Sequence, residues 1–505
     1  MKIKLGVVFH IIYAVFFAYV LCNVFVAYTA NHDILYIILG TAVLIFLTAG
    51  AAFMFRSKIP VFSDKTVNIV YICISLVMLA VQFYLITQLK TVQNADAYAV
   101  FKAAKNYAES GSWDNMYKDI EKITHYFDRY PNNWCILAML GWFYRIIYLI
   151  IGRVPVIASL ILNVFMLQIG NYFFYKISRL IFKSNSKVLL CLALMFTCAP
   201  LYTYSAFVYT DSFSLPFVMG AVYFIIKTAM AQSKKQMAVY ISAASVLIAV
   251  GYSVKGSAAI LIVSGIIYLF LFRGWKRAAV CGIACVLGFV LINKVLLFSY
   301  ASHSGMMDKE NFDSYHFPST HYVMMGLMGD GRFNENARRF TYKQPNFEAK
   351  KEANIKEIKR LLKQPASVLA DHFNKKVQLT WSDGRYRVMH YLAKSRSCSA
   401  KYMITHGNKF YGYSQTYHMT MLLAMFVSII AGIIKKDKSH MLMVRLSVFG
   451  LSVFLLIWET TPRYLFNFLP LFLLMETDGI FRLFKLFKRF FLKSSLKPEE
   501  AIKTV

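Results

Sequence analysis

Residues 66–89 read TVNIVYICISLVMLAVQFYLITQL, an apolar run of 24 residues without a charged side chain. A helix of this length crosses the hydrocarbon core of a bilayer, which is about 30 Å thick. Only helices and closed barrels pair every backbone group in hydrocarbon, and this run is far too long for a barrel strand. The stretch therefore predicts a transmembrane helix.

Similar runs recur along the 505 residues, of which 58% are hydrophobic, whereas soluble domains are about 45–50% apolar. The sequence therefore predicts an all-α polytopic membrane protein with about 12 transmembrane helices. The predicted spans are residues 5–29, 34–54, 66–89, 154–180, 188–207, 211–231, 238–254, 257–272, 277–299, 414–434, 441–458 and 462–480.

The formal net charge of +31 would suggest a nucleic-acid partner in a soluble protein. Here many of the cations lie in short connections between spans, where Lys and Arg set membrane orientation. No aromatic and basic platform of the nucleic-acid-binding kind occurs, so no nucleic-acid partner is predicted. With Lys2 and Lys4 in the cytoplasm, every cytoplasmic connection is basic. This orientation predicts a multi-pass plasma-membrane protein with both termini cytoplasmic.

Residues 134–151 are apolar enough to form a further span. Counting them as a span would invert everything downstream and place most basic connections outside. Arg145 also lies in the middle of this stretch, and a charge is costly at the bilayer centre. We therefore expect an interfacial or half-inserted helix on the outer side of the membrane.

Two long segments then lie outside the membrane. Helices are predicted in the first at Tyr98–Ala108 and Trp113–Phe127, and in the second at Glu348–Lys363, which Pro365 ends. The predicted organisation is an N-terminal three-span unit (1–89), a first extracytoplasmic loop (90–153), a six-span core (154–299), a large extracytoplasmic loop (300–413), a C-terminal three-span unit (414–480) and a basic cytoplasmic tail (481–505).

Charged residues occupy the outer ends of several predicted spans. Asp96 follows the opening run, within Asn94-Ala95-Asp96-Ala97-Tyr98. Asp211 begins a span, where a carboxylate could simply cap the helix, and Lys255 forms the apex of a hairpin, where it could snorkel to the interface. Glu459 and Arg463 share a tight turn and could pair with each other. Further polar residues in the large loop are His321, Arg332, Lys375, Lys376, Asp383 and Arg385.

Taken together, these residues indicate a site at the outer membrane surface that holds carboxylates and fixed cations. Cations on short hairpins suit a phosphate, and a phosphate at that depth belongs most naturally to a lipid. The chain has no GxGxxG, P-loop or HExxH motif. None of the 8 cysteines forms a CxxC pair, so there is no metal or disulfide signal.

These residues and their order resemble the polytopic C-class glycosyltransferases, the superfamily of protein O-mannosyltransferases and lipid A aminoarabinose transferases. The resemblance spans most of the chain. Its motifs are Asp96 after an early span, Pro131-Asn132-Asn133, Arg153-Val154-Pro155, Tyr209-Thr210-Asp211, Lys255-Gly256, and Glu459 with Arg463-Tyr464.

The resemblance implies a polyprenyl-phosphate-linked sugar as donor, presented from the outer leaflet, and an inverting transfer with Asp96 as general base. Relatives often carry two adjacent acids at that point, whereas Asn94 and Ala95 precede Asp96 here. No cofactor is therefore predicted, and a divalent cation stays open. The acceptor could be a protein, a teichoic acid, a glycan or a lipid.

Chemistry alone assigns similar roles. A carboxylate takes the acceptor proton, and cations stabilise the leaving phosphate, so we expect Lys255 and Arg463 to bind the phosphate. Asp211 is the second candidate catalytic carboxylate. The other candidate site residues are Tyr98, Asn132, Asn133, Arg153, Glu459, Tyr464, His321 and Arg385.

Two other functions remain open at this point. A transporter of polysaccharide or lipid-linked oligosaccharide would place its charges near the middle of the membrane, whereas those above lie at outer ends. An oligosaccharide polymerase also uses a large outer loop, and only the early aspartate loop argues against it.

Overall fold

A computed structural model of the protein describes residues 2–55, 61–89, 93, 95–118, 125–304, 309–392, 407–434 and 439–494. These residues form helices and connecting turns, with no strand among them. The predicted all-α class is confirmed. Asn94 and the end of the predicted basic tail, residues 495–505, lie outside the described ranges.

The helices follow the predicted order of spans and loops. The N-terminal helices are α1 (Lys2–Ala30), α2 (Ile34–Met54) and α3 (Asp64–Leu89). The first loop segment holds α4 (Ala95–Ser110), α5 (Tyr126–Arg129) and α6 (Trp134–Ile151), with 3-10 turns at Trp113–Asn115 and Pro131–Asn133. The central helices are α7 (Ile157–Ile181), α8 (Asn185–Thr197), α9 (Pro200–Thr203), α10 (Thr210–Phe213), α11 (Leu215–Met230), α12 (Lys234–Val254), α13 (Ile260–Arg273) and α14 (Trp275–Ser304), with 3-10 turns at Tyr204–Ala206 and Gly256–Ala259.

The remaining helices form the large loop and the C-terminal bundle. We call residues 309–392 the large loop unit. It holds α15 (Lys309–Tyr315), α16 (Ser319–Gly326), α17 (Glu335–Tyr342), α18 (Phe347–Leu362), α19 (Ala366–Trp381) and α20 (Val388–Leu392). The last helices are α21 (Gly407–Ile434), α22 (Met441–Ile457) and α23 (Leu469–Ser494), with a 3-10 turn at Pro462–Phe468.

In the described part of the chain, 11 helices are long and apolar enough to cross a membrane, or up to 12 when one bent pair counts as a span. This agrees with the predicted number, although the membership differs. The helical stretch Pro131–Ile151 meets the criteria of length and composition, whereas the predicted span 441–458 is a shorter apolar helix, Met441–Ile457.

The contacts of α6 bear on whether Pro131–Ile151 crosses the membrane. Asn133, directly before α6, accepts a hydrogen bond from Tyr209 (3.0 Å). Near the start of the next helix, α7, Asn163 donates to the carbonyl of Phe207 (3.3 Å). Because Phe207 and Tyr209 are neighbours, α6 begins at the bundle face from which α7 also begins. This geometry supports an interfacial helix.

Helix α4 supplies the partner that α6 needs at the interface. Arg145, in the middle of α6, donates to the carbonyl of Ala108 in α4 (2.8 Å). Tyr107 of α4 stacks on Trp113 with ring centroids 3.7 Å apart. The guanidinium group that argued against a span is therefore hydrogen-bonded to the backbone of the neighbouring helix.

Two local expectations need correction. The predicted helix at Trp113–Phe127 is wrong, because the described part contains only a 3-10 turn and the short α5, and residues 119–124 lie outside the description. The predicted span at 188–207 is broken by a 57° bend between α8 and α9. Pro200 explains the break, because its missing N–H and its ring oppose a continuous helix.

A buried polar cluster joins the first helix to the last two. Arg445 of α22 is fully buried and its Nη2 atom lies 3.0 Å from Asp478 Oδ2 in α23. Arg482 donates to the same carboxylate oxygen (2.7 Å). The Nε2 atom of His10 in α1 lies 3.1 Å from Arg445 Nη1. Two guanidinium groups thus depend on one buried carboxylate.

We expect Asp478→Asn to lower the free energy of unfolding by about 3–5 kcal/mol, because it leaves buried cations without their partner. Asp371→Asn is the control, since its ion pair with Lys375 is exposed and worth about 0–1 kcal/mol. Denaturant unfolding of the purified variants in mixed micelles measures the loss of unfolding free energy in each. Equal losses in the two variants would contradict the assigned importance of the cluster.

Candidate active site

A cavity of about 770 Å³ opens where the first loop segment, the large loop unit and the ends of several membrane helices meet. Its wall contains five of the predicted site residues and many aromatic rings. The predicted residues in the wall are Asn132, Lys255, Glu459, Arg463 and Tyr464, and the other aromatic ones include Trp134, Tyr209, Tyr252, Phe317, Tyr322 and Trp458.

Asp211 lies behind the cavity wall as a fully buried carboxylate. The ammonium group of Lys255 pairs with its Oδ1 atom, and Arg463 Nε lies 3.8 Å from its Oδ2 atom. Burial lowers the pKa of the Lys255 ammonium, and the charge of Asp211 opposes that change. Asp211 thus holds two cations of the cavity wall in place.

The local backbone explains why Lys255 reaches the site. It caps the C-terminus of α12 in an extended conformation and is followed by the 3-10 turn Gly256–Ala259. The chain therefore leaves one helix and enters the next through a single residue. Its ammonium lies 4.5 Å from the centroid of the Tyr464 ring.

Aromatic residues fix the orientation of Arg463. Its Nη1 atom donates to the hydroxyl of Tyr391 (2.8 Å), and its guanidinium carbon lies 5.0 Å from the centroid of the Tyr209 ring. Glu459 lies nearby and accepts a hydrogen bond from the Tyr464 hydroxyl (3.2 Å). Burial raises the pKa of the Glu459 carboxyl, although the positive charge of Arg463 opposes the rise.

Asp96 is next to a chain of hydrogen bonds that leads to the cavity wall. Burial and the negative charge of Asp96 hold the pKa of Tyr126 well above its ordinary value. Asn133 donates to Tyr126 (3.0 Å) and accepts from Tyr209 (3.0 Å). Asp96, near the start of α4, is therefore linked to the ring on which Arg463 lies.

The large loop unit approaches the cavity by clamping the turn that follows α22. The backbone N–H of Glu459 donates to the carbonyl of Tyr322 (3.1 Å), and that of Thr460 to Gly331 (2.8 Å). Gly326 lies so close to the backbone of Trp458 that a Cβ atom there would approach it to 2.6 Å. The turn that carries Glu459 is thus held by the unit.

Lys376 of α19 is a buried part of this clamp. It donates to the carbonyls of Gly326 (2.6 Å) and Leu456 (2.9 Å), so it connects the large loop unit to the end of α22. Burial lowers the pKa of its ammonium to about 7. The sequence indicated Lys376 as a polar residue of the loop but not this role.

Asp383 and Arg385 belong to the turn that precedes Tyr391. Asp383 accepts from the backbone N–H groups of Arg385 and Arg387, both at 3.0 Å. Tyr386 and Arg387 both have positive φ angles, 51° and 60°, and non-glycine residues there cost roughly 1–3 kcal/mol each. The carboxylate offsets that strain. Arg385 itself packs on Tyr411 and does not line the cavity.

Several other predicted residues do not join the cavity wall. His321 is buried in the large loop unit against Thr341 (Nδ1–Oγ1 2.8 Å), and burial lowers its pKa to about 4. Tyr98 is exposed on α4, and Arg153 is exposed between α6 and α7. Arg332 pairs with Asp330, and Lys375 with Asp371.

Sequence reasoning missed residues that the structure brings to the site. Tyr126 interacts with Asp96 and Tyr391 with Arg463, and Asp128 and His316 line the cavity. None of these residues lies at the end of a predicted span, the position from which the other site residues were predicted. Among the described residues, no group of three or more His, Cys, Asp or Glu side chains is placed to hold a metal ion.

Comparison with known proteins gives a family and a distant structural likeness. A family model described as "Conserved hypothetical integral membrane protein" matches residues 4–479. Among solved structures, the chain is similar to the crystal structure of ArnT from Cupriavidus metallidurans bound to undecaprenyl phosphate. The identity is 11% and the TM-score 0.37, over 83% of this chain and 78% of that one. No curated protein matches the chain.

We expect Asp211→Asn to destabilise the protein by about 3–5 kcal/mol, because two neighbouring cations lose their buried counterion. Adding Lys255→Met to that variant removes one of the cations and should recover part of the loss. Denaturant unfolding of the two single variants and the double variant gives the coupling energy. Additive losses would show that Asp211 and Lys255 do not act as a pair.

The lowered pKa of Lys376 predicts that the stability of the protein depends on pH. Its ammonium has a pKa of about 7 in the folded protein against an ordinary value of 10.5. Between these values the unfolded chain binds more protons, so this residue makes the protein more stable as the pH rises above 7. Relative to Lys376→Met, the wild type should gain up to about 1.4 kcal/mol per pH unit.

Unfolding measured at pH 7, 8 and 9 tests this expectation. Lys375→Met is the matched control, since Lys375 is the exposed neighbour in the same helix. If the difference between wild type and Lys376→Met stays constant over that range, Lys376 is not the titrating group.

Proposed function

The chain belongs to the family of conserved hypothetical integral membrane proteins, and we propose that it is a membrane glycosyltransferase that transfers a sugar from a polyprenyl-phosphate donor to an acceptor at the membrane surface. One observation carries the proposal. Lys255 and Arg463 line the same cavity while Asp211 holds both of them from behind.

The charge of this group suits a single phosphate. Lys255 and Arg463 outnumber Asp211 by one charge, and burial raises the pKa of Glu459 in the same wall, which favours its neutral form. With Glu459 neutral, one positive charge is left for an anionic ligand to balance. As the bond from sugar to phosphate breaks, negative charge develops on the phosphate oxygens. Fixed cations in a partly buried site stabilise that charge without reorganisation. The leaving phosphate therefore needs no proton donor.

The aromatic lining suits the rest of the donor. Trp134, Tyr252, Tyr322 and Trp458 expose ring surface to the cavity. Such rings offer large apolar area with a polar tip, which fits both the C–H faces of a sugar and the first units of a polyprenyl chain. A cavity of about 770 Å³ falls in the size range of small-molecule sites.

Asp96 is the base in the proposed reaction. In an inverting transfer, a carboxylate removes the proton of the acceptor hydroxyl as that oxygen attacks the anomeric carbon, and the leaving phosphate takes the bonding electrons. The charge of Asp96 acts on Tyr126, and Asn133 links Tyr126 to Tyr209 by hydrogen bonds. Asp211, by contrast, is buried in an ion pair, so we assign it the positioning of the two cations.

The membrane orientation belongs to the same proposal. We place both termini in the cytoplasm and the cavity on the outer side, because Lys234 and Arg273 lie at the ends of α12 and α13 away from Lys255 and basic connections face the cytoplasm. The large loop unit forms part of the cavity wall through Phe317 and Tyr322. It would bind the acceptor and exclude water, which competes by hydrolysing the donor.

Sugar transfer from a polyprenyl-phosphate donor by the purified protein tests the base. Asp96→Asn should lower the transfer rate by roughly 10²–10⁴-fold, the usual contribution of general-base catalysis. Donor binding should change little, because the phosphate contacts remain. Tyr98→Phe is the control, since Tyr98 is exposed on the same helix. A folded Asp96→Asn variant that transfers at the wild-type rate would refute the assignment.

A further inference from the structure

The last turns of α23 present cations and large apolar side chains together at the end of the bundle opposite the cavity. About 20 residues, or 30 Å of helix, separate Leu469 from Arg489. Lys485 and Arg489 are exposed, and Lys488 is partly exposed. Leu486 and Phe490 expose 62% and 67% of their surface. We propose that this patch, residues 485–490, binds the headgroup and acyl chains of an anionic phospholipid.

The opposite face of the same helix fixes its depth. Phe481 and Phe484 are buried against Ala52 of α2, and Phe491 meets Phe53 with ring centroids 6.0 Å apart. Because α2 ends at Met54, the last turns of α23 lie level with the end of a membrane helix. The patch is therefore at the height of lipid headgroups and does not project into water.

Helical spacing brings the three cations into one group. Positions 488 and 489 follow position 485 by three and four residues, so both side chains are neighbours of Lys485 on the helix surface. Like charges at this spacing destabilise a helix. The sequence of α23 contains no acid after Asp478, and the Asp478 carboxylate already binds Arg445 and Arg482.

Among the described residues, no ion pair is formed by Lys485, Lys488 or Arg489. An anion from outside the chain would supply the missing negative charge. The adjoining Leu486 and Phe490 need an apolar cover as well. An anionic phospholipid provides both in one molecule, whereas a free anion would leave the apolar side chains bare.

Thermal unfolding of the full chain in detergent, titrated with dioleoyl phosphatidylglycerol, tests the site. The wild type should show a saturable rise of the midpoint. The variant Lys485→Gln/Lys488→Gln/Arg489→Gln should bind roughly 100-fold more weakly, since each juxtamembrane cation contributes about 1 kcal/mol, or a factor of five. The charge-preserving variant Lys485→Arg/Lys488→Arg/Arg489→Lys should retain the wild-type response.

The matched control removes three exposed lysines of the large loop unit, Lys351→Gln/Lys359→Gln/Lys363→Gln. It changes the net charge equally and should respond to phosphatidylglycerol as the wild type does. The proposal would be overturned if phosphatidylglycerol raised the unfolding midpoint of the Lys485→Gln/Lys488→Gln/Arg489→Gln variant as much as that of the wild type. An equal response of the wild type to phosphatidylcholine or to inorganic phosphate would also overturn it. Sugar-transfer activity does not enter this test, which stands apart from the proposed function.

Discussion

The burial of one carboxylate between two cations is the constraint on which the candidate site depends. A buried charge without a partner is strongly unfavourable, so Asp211, Lys255 and Arg463 must come together for any of them to be buried. These residues belong to three separate regions of the chain. Their pairing therefore fixes how the central helices meet the C-terminal bundle.

Much of the fold follows from the sequence, because long apolar runs predict the spans. Length and composition alone would add one more span. Pro131–Ile151 has the composition of a span, but Arg145 and the basic connections predicted an interfacial helix, which the contacts with α4 and the place where α7 begins support. The break in the span at 188–207 has a local cause, Pro200. The burial of Arg445, by contrast, depends on His10 and Asp478, partners that a pattern of apolar residues does not reveal.

The site was predictable where charge stands out against an apolar background, as it does for Lys255 and Arg463. Tyrosines carry no such signal in a chain with 33 of them, so Tyr126 and Tyr391 emerged only from their contacts. His321 shows the opposite error. A histidine in a polar loop looks functional, but its ring is packed into the loop's own core and bonded to Thr341. Burial and partners decide such cases.

Helix α6 also bears on how the chain is made. A ribosome releases the chain from its N-terminus, so α6 leaves the exit tunnel before α7. At that moment its apolar composition favours insertion into the bilayer, and the helices that show it to be superficial do not yet exist. Arg145 and α4 are already present, and their contact opposes insertion. We infer that this contact helps to keep α6 at the membrane surface during synthesis.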